Sequence, residues 1–295
     1  MYQPTAKGYF SGCGGMELGM QQAGVNIIQS LDLDAEATAC MQANKHYFGH
    51  AILTADIKDK TVLEQPHSDI IIGTYPCTKY SPIADIHGTR TGDDLFLHFF
   101  RHIAIEKPEM YVVENVPGMK KFKVVMEAMT KLPGYYVHVF CPVDALNWLP
   151  QRRKRLILIG TRKPFNISEP KAINNRPRIK DILERNPQVE IPAYVIKRIK
   201  GKYRDLPIII DADNPNAFAP TCVAHYAKDL STRLVKDKQA QYGVRPFSIR
   251  EYARLQGFPD DFYFEEKRSS YKLIGNAVPV QMGKWVGEVA VRYFN

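Results

Sequence analysis

Cysteine is scarce in this chain of 295 residues: Cys13, Cys40, Cys77, Cys141 and Cys222 are an odd set, widely scattered and without paired spacing. That pattern argues against a disulfide framework or a zinc site and fits a reducing compartment, so the cytoplasm is the expected location. No apolar run approaches membrane-spanning length, and residues 1–20 lack the basic-then-apolar pattern of a secretion signal, which argues against a membrane role. No G-x-x-x-x-G-K-[ST] loop is present, so a nucleotide triphosphate is not the expected ligand. Internal repeats and low-complexity stretches are missing as well. What is present suits a globular protein: 45% of residues are hydrophobic, enough for one large domain and a smaller one.

Acidic excess is also absent, and the positive charge is unevenly placed. Residues 1–160 hold 16 basic and 16 acidic side chains, residues 161–245 hold 17 and 9, and residues 246–295 hold 7 and 6. Nearly all of the net charge of +9 therefore lies in one central segment. A basic segment beside a neutral one suggests a polyanion-binding face, with a phosphate backbone as the commonest partner.

The chain is organised around Asp69–Ser81. Ile70, Ile71 and Ile72 form a β-branched run typical of a buried strand; Gly73 ends it, and Pro76 stiffens the turn before Cys77. A cysteine there stands where open α/β sheets keep their chemistry, although most free cysteines are small buried hydrophobes. Upstream, residues 7–12 read as a strand feeding the glycine turn Gly12-Cys13-Gly14-Gly15, followed by a helical pattern over Met16–Ala23. A second strand ends at Asp32, where a doubly wound fold hydrogen-bonds the ribose of an adenosine cofactor, and a third, Ala51–Thr54, ends before Asp56-Ile57. A cofactor with adenosine and a free carboxylate but no phosphate suits this turn, and S-adenosylmethionine is such a molecule.

Downstream, Leu95–Ile105 reads as a helix and 109–113 as a buried strand ending at Glu114, a carboxylate able to hydrogen-bond or protonate a substrate nitrogen. Tyr135–Phe140 and Arg155–Gly160 are expected to be the last two strands. Arg153 and Arg155 alternate by two, so both would face one side of an extended segment and, on an interior face, could hold an anion or carbonyl oxygen, although a cluster of four basic residues is more often a solvated loop. Residues 161–245 are rich in proline, with short helices expected at Arg176–Arg185 and Ala193–Lys200. Their densest basic run is 197–204. Ser248 with Glu251 forms a capping box opening a helix, and Val280–Phe294 is a closing amphipathic helix.

Together these stretches resemble the cytosine-C5 DNA methyltransferases, in the order that family uses. The matching segments are Phe10-Ser11-Gly12-Cys13-Gly14-Gly15, Pro76-Cys77-Thr78-Lys79-Tyr80-Ser81, Glu114-Asn115-Val116, Gln151-Arg152-Arg153-Lys154-Arg155, Arg254-Leu255-Gln256-Gly257-Phe258-Pro259-Asp260 and Gly275-Asn276-Ala277-Val278-Pro279. The resemblance spans 7–161 and 245–295. It departs from the family at Gly8, where an acidic residue is usual, at Thr78, which replaces a glutamine, and in a short variable region.

The resemblance implies a Rossmann-like α/β fold with a mostly parallel seven-stranded sheet. It divides the chain into a catalytic and cofactor-binding domain at 1–162, a small basic target-recognition domain at 163–245, and a segment at 246–295 that returns to the first. It makes Cys77 the nucleophile toward C6 of a flipped cytosine, with Glu114 and Arg155 quenching charge on the base and Arg153 buttressing. S-Adenosylmethionine is assigned to Phe10, Gly12, Cys13, Gly15, Asp32, Asp56, Ile57, Pro76, Leu95, Asn276 and Val278. Duplex DNA is the implied partner, lying between the domains of a monomer; a cognate restriction endonuclease is a further possible one. Lys197, Arg198, Lys200 and Lys202 are expected to grip phosphates. Rival readings are an RNA methyltransferase of the same fold, a catalytically silent DNA-binding relative and a dinucleotide oxidoreductase, the last disfavoured by the lack of a second glycine fingerprint.

Overall fold

Short β-branched runs alternating with helical stretches build a parallel sheet, because each helical crossover returns the chain to the same end of the sheet before the next strand. The computed structural model describes residues 1–76, 95–202, 204–205 and 207–295. Seven strands follow in chain order: β1 (Thr5–Tyr9), β2 (Asn26–Asp32), β3 (Ala51–Thr54), β4 (Ile70–Gly73), β5 (Met110–Asn115), β6 (Tyr136–Asp144) and β7 (Lys154–Thr161). They form one sheet in the order β3-β2-β1-β4-β5-β7-β6. The first five pair in parallel, and β7 runs antiparallel to both β5 and β6. The strand order reverses between β1 and β4, the switch point where such sheets open a crevice at their carboxyl ends.

The isoleucine run behaves as its composition demands. Ile70, Ile71 and Ile72 are fully buried, as are Met110–Val113 beside them, so β4 and β5 are covered on both faces. Helices α1 (Gly15–Gln22), α2 (Ala35–Ala43), α3 (Leu95–Glu106) and α4 (Lys123–Thr130) accompany these strands. Phe99 of α3 joins Tyr9, Ile71, Tyr111 and Leu158 in one apolar cluster. At the amino ends of the strands, Lys7 is wholly buried, yet its ammonium is satisfied by Glu106 and by Pro66 O at 2.7 Å.

Two compact units emerge from the contacts: Met1–Asp144 with Lys154–Pro170 and Met282–Asn295, and Ala145–Arg153 with Lys171–Gln281. The second unit holds helices α5 (Ile179–Ile182), α6 (Ala193–Lys200), α7 (Ile249–Leu255) and α8 (Arg268–Asn276). It also holds β8 (Ile208–Ile210), β9 (Arg233–Lys236) and β10 (Val244–Arg245), joined in the order β10-β9-β8. The helix expected over 176–185 shrinks to the single turn α5, while α6 matches its expected span. Ser248 and Glu251 form the capping box of α7. Arg245 pairs with the fully buried Glu251 through two hydrogen bonds, 2.7 and 2.8 Å.

The unit boundary lies later than the composition break at 245 suggests, and the reason is hydrogen bonding across the sequence. Gln151 Nε2 donates to Leu255 O at 2.8 Å, and Arg254 donates to Ile182 O at 3.0 Å, tying 246–281 to the second unit's core. The last helix, α9 (Val280–Phe294), crosses back: from Met282 on it belongs to the first unit, where Trp285 packs edge-on against Phe140.

Candidate active site

At the carboxyl end of β1 the chain turns through Phe10, a non-glycine residue with φ of 63°. Two contacts hold it there: Thr74 Oγ1 donates to Phe10 O at 2.7 Å, and the Tyr75 ring meets the Phe10 ring edge-on at 6.1 Å. Such a backbone costs about 1–3 kcal/mol and persists where neighbours over-determine it. Gly14 follows with φ of 84° and caps α1; a Cβ there would sit 2.5 Å from the Phe48 ring, so only glycine lets α2 and its following turn come so near. Gly15 opens α1 and is buried.

Asp32 ends β2 and closes the other side of this turn. One of its oxygens accepts the Gly12 N–H at 2.7 Å, the other the Asp34 N–H at 2.8 Å. Burial pushes the carboxyl above its usual range, against the backbone donors Asp34, Gly12 and Leu33 that favour its charged form. Asp56 caps a short 3-10 turn by accepting the Lys58 N–H at 3.0 Å, with buried Ile57 next to it. Leu95 starts α3 and packs, like Phe10, on the apolar cluster. The Cys13 thiol is buried, and burial pushes it well above the ordinary cysteine range, as in a structural rather than a reactive cysteine.

These groups fit S-adenosylmethionine. Asp32 can accept from vicinal hydroxyls, the Phe10 ring offers an apolar face, and the first turn of α1 favours a carboxylate. Among the described residues no cluster of His, Cys, Asp or Glu could hold a metal.

The second half of the site lies at the ends of β5 and β7. Glu114 is nearly covered, and its Oε1 meets Arg155 Nε at 2.8 Å. Asn115 beside it donates to Tyr75 O at 3.1 Å, fixing the backbone just before Pro76. Pro76 itself is exposed; Cys77 lies outside the described residues. The positioning roles of Thr74 and Asn115 escaped the sequence reading, because each acts on the carbonyl of a residue far away in the chain. Asn115 already stood in the Glu-Asn-Val segment, the one signal that could have flagged it.

The alternation of Arg153 and Arg155 does not give them one role. Strand β7 starts at Lys154, so Arg153 precedes the extended segment. Its buried guanidinium donates to the carbonyls of Cys222, Gly275 and Ala277 at 2.6, 3.2 and 2.8 Å. It holds the turn after α8, where Asn276 is exposed and Val278 buried. On α6, Lys197 and Lys200 are exposed, as is Lys202 just beyond; Lys200 Nζ sits 4.6 Å from the Tyr242 ring centre. Arg198 instead pairs with Asp229 at 2.7 Å and with Ser231.

Fold and site together define a Rossmann-like methyltransferase that takes S-adenosylmethionine as methyl donor. The family description "C-5 cytosine-specific DNA methylase" matches residues 8–292, and the chain belongs to that family. It is thus a DNA (cytosine-5-)-methyltransferase. Among its relatives, the Type II methyltransferase M.Sau96I of Staphylococcus aureus is 29% identical over 97% of this chain and 75% of that protein. The Type II methyltransferase M.BsuFI of Bacillus subtilis is 30% identical over 94% of this chain and 70% of that protein. The fold is shared with the Entamoeba histolytica methyltransferase EhMeth, at a TM-score of 0.84 and 18% identity over 100% of both chains. It is shared also with the Dnmt2 methyltransferase of S. pombe, at 0.76 and 17% identity over 99% of this chain and 100% of that one. None of the described helices is long and apolar enough to cross a membrane.

Proposed function

We propose that Cys77 is the nucleophile and that Glu114 and Arg155 quench the charge its attack creates. The observation that carries this reading is the Glu114–Arg155 pair, 2.8 Å apart beside the backbone that Asn115 fixes ahead of Cys77. C5 of cytosine is a poor nucleophile. Adding a thiolate at C6 makes C5 enamine-like, and cysteine, with an unperturbed pKa of about 8.5, keeps a usable thiolate fraction. Glu114 would engage N3 and the exocyclic amine, and Arg155 the neighbouring O2 carbonyl. Bound S-adenosylmethionine supplies a sulfonium methyl. Water serves as the base that takes the C5 proton before the thiol leaves. A base inside a duplex has to be flipped into the site first, at a cost of a few kcal/mol.

The basic segment 163–245 supplies target recognition, which its charge supports, and its brevity suits a short site. The Type II names of the relatives support a cognate restriction endonuclease as partner, with the enzyme acting on DNA in the cytoplasm as a monomer. Cys77→Ala should abolish tritium transfer to DNA, and 5-fluorocytosine in the target should trap a covalent adduct with the unaltered enzyme. Substantial turnover by Cys77→Ala would refute the nucleophile assignment. Bisulfite sequencing of DNA from expressing cells would give the recognition site, and extracts of the host that fail to cut unmethylated copies of it would refute the endonuclease partner.

A further inference from the structure

The family's usual acid at the first cofactor segment is missing here, because position 8 is glycine. The structure shows what takes its space. A Cβ built on Gly8 would run into Glu17 Oε1 and would lie 2.7 Å from Ser11 Oγ. Glu17 sits in the first turn of α1, so its side chain points back toward the helix start and under the glycine turn. The residue is 1% exposed.

Neither Glu17 oxygen has a hydrogen-bond partner among the described residues. The Ser11 hydroxyl and the Glu17 amide lie near enough to ease its charge without being aligned on it. Among the described residues, the ionisable groups that act on it are Asp32, at the end of β2, and Cys13 in the turn, and neither brings a positive charge. An unpaired buried carboxylate is costly, and it is kept only where something supplies the missing cation or proton. Without a cation, burial pushes Glu17 up to about 7, so the protein alone partly relieves the cost by protonation.

We infer that Glu17 binds the α-ammonium of the cofactor's methionine tail, supplying from α1 the acid that Gly8 cannot carry. The inference rests on the cofactor reading of the Gly12–Gly15 turn. A tail bound there divides between two sites of opposite sign: its carboxylate meets the first-turn N–H groups of α1, and its ammonium meets Glu17. Gly8 is then required, because any side chain at position 8 would displace the carboxylate.

Calorimetry with three ligands tests this on the full chain: S-adenosylmethionine, S-adenosylhomocysteine and 5′-methylthioadenosine, which lacks the amino-acid tail. Glu17→Gln keeps the shape and removes the charge. It should weaken the first two by about tenfold to a hundredfold, the range for a lost hydrogen bond to a charged group, and leave the third unchanged. Gly8→Asp combined with Glu17→Ala should recover most of the loss, since the second change clears the space the new carboxylate needs. Equal affinity of wild type and Glu17→Gln for S-adenosylmethionine would overturn the inference, as would an equal loss for all three ligands, which would mean a role in holding the turn. Failure of the wild type to bind any of the three would instead remove the underlying cofactor reading.

Discussion

Arg155 Nε lies 2.8 Å from Glu114 Oε1, a pair formed between neighbouring antiparallel strands with only 12% and 9% of the two side chains exposed. The two groups proposed to meet neighbouring atoms of the target base are thus already bonded to each other. Such a pair orients both side chains, and Arg155 Nη1 is held further by donating to Lys154 O at 2.8 Å.

Removing either member should lower kcat by about 10²–10³, the range for losing one transition-state donor, while cofactor affinity stays near wild type. Because the two act as one unit, the double variant Glu114→Gln with Arg155→Met should cost less than the product of the single losses. Single-turnover methylation of a short duplex gives all three values, and strictly multiplicative losses would show that the residues act independently.

Asp32 joins the end of β2 to the glycine turn and is assigned to the ribose. Asp32→Ala should weaken S-adenosylmethionine by about 1–3 kcal/mol and also lower apo stability, because the Gly12 and Asp34 N–H groups lose their acceptor. Asp56→Ala should weaken binding with a smaller effect on stability, since its carboxylate serves one short turn. Titration calorimetry that finds both variants at wild-type affinity would remove both from the cofactor site.

Protonation of Glu17 predicts opposite pH trends for the free and the bound protein. Its carboxyl is raised by burial to about 7, above its unfolded value, so the folded apo protein holds the proton longer than the unfolded chain does. That contribution is fully present below the unfolded value of about 4.3 and is lost as pH rises through about 7. The difference in stability between wild type and Glu17→Gln should therefore shift against wild type over that window. Saturating S-adenosylmethionine should reverse the trend, because an ammonium partner favours the ionised form. Urea melts at several pH values, with and without cofactor, provide the measurement; a pH-independent difference would mean that Glu17 does not titrate there.

Arg153 spans three backbone carbonyls within the second unit. Arg153→Met should cost roughly 2–4 kcal/mol of stability, from acceptors left buried without a donor. Guanidinium denaturation reports the loss. A variant of wild-type stability that cannot methylate would place Arg153 on the substrate instead.

The basic run should split by what each side chain already touches. Lys197→Ala should weaken binding to all duplexes alike and reduce the salt slope by about one. Arg198→Ala should instead leave the slope unchanged and destabilise the unit, because Asp229 loses its partner. Affinity against salt on target and non-target duplexes separates the two behaviours, and equal slopes for Lys197→Ala and wild type would mark that lysine as plain surface.

Much of this protein was fixed by local sequence. Strand-end chemistry is local: a β-branched run sets the strand, and the next few residues must stand at its carboxyl end. That is why the glycine turn, Asp32, Asp56 and Glu114 could be placed in advance, and why Ala193–Lys200 and Val280–Phe294 matched their apolar periodicity. Distant partners were decided only by the tertiary structure. Nothing near Gly8 in the chain says that Glu17 fills its side-chain space, because that depends on how α1 lies against β1. Nothing near Arg198 says that Asp229 will claim it. Spacing by two fixes a shared face only inside a continuous strand, and β7 begins one residue after Arg153, so two arginines that look alike in sequence serve a backbone turn and a carboxylate.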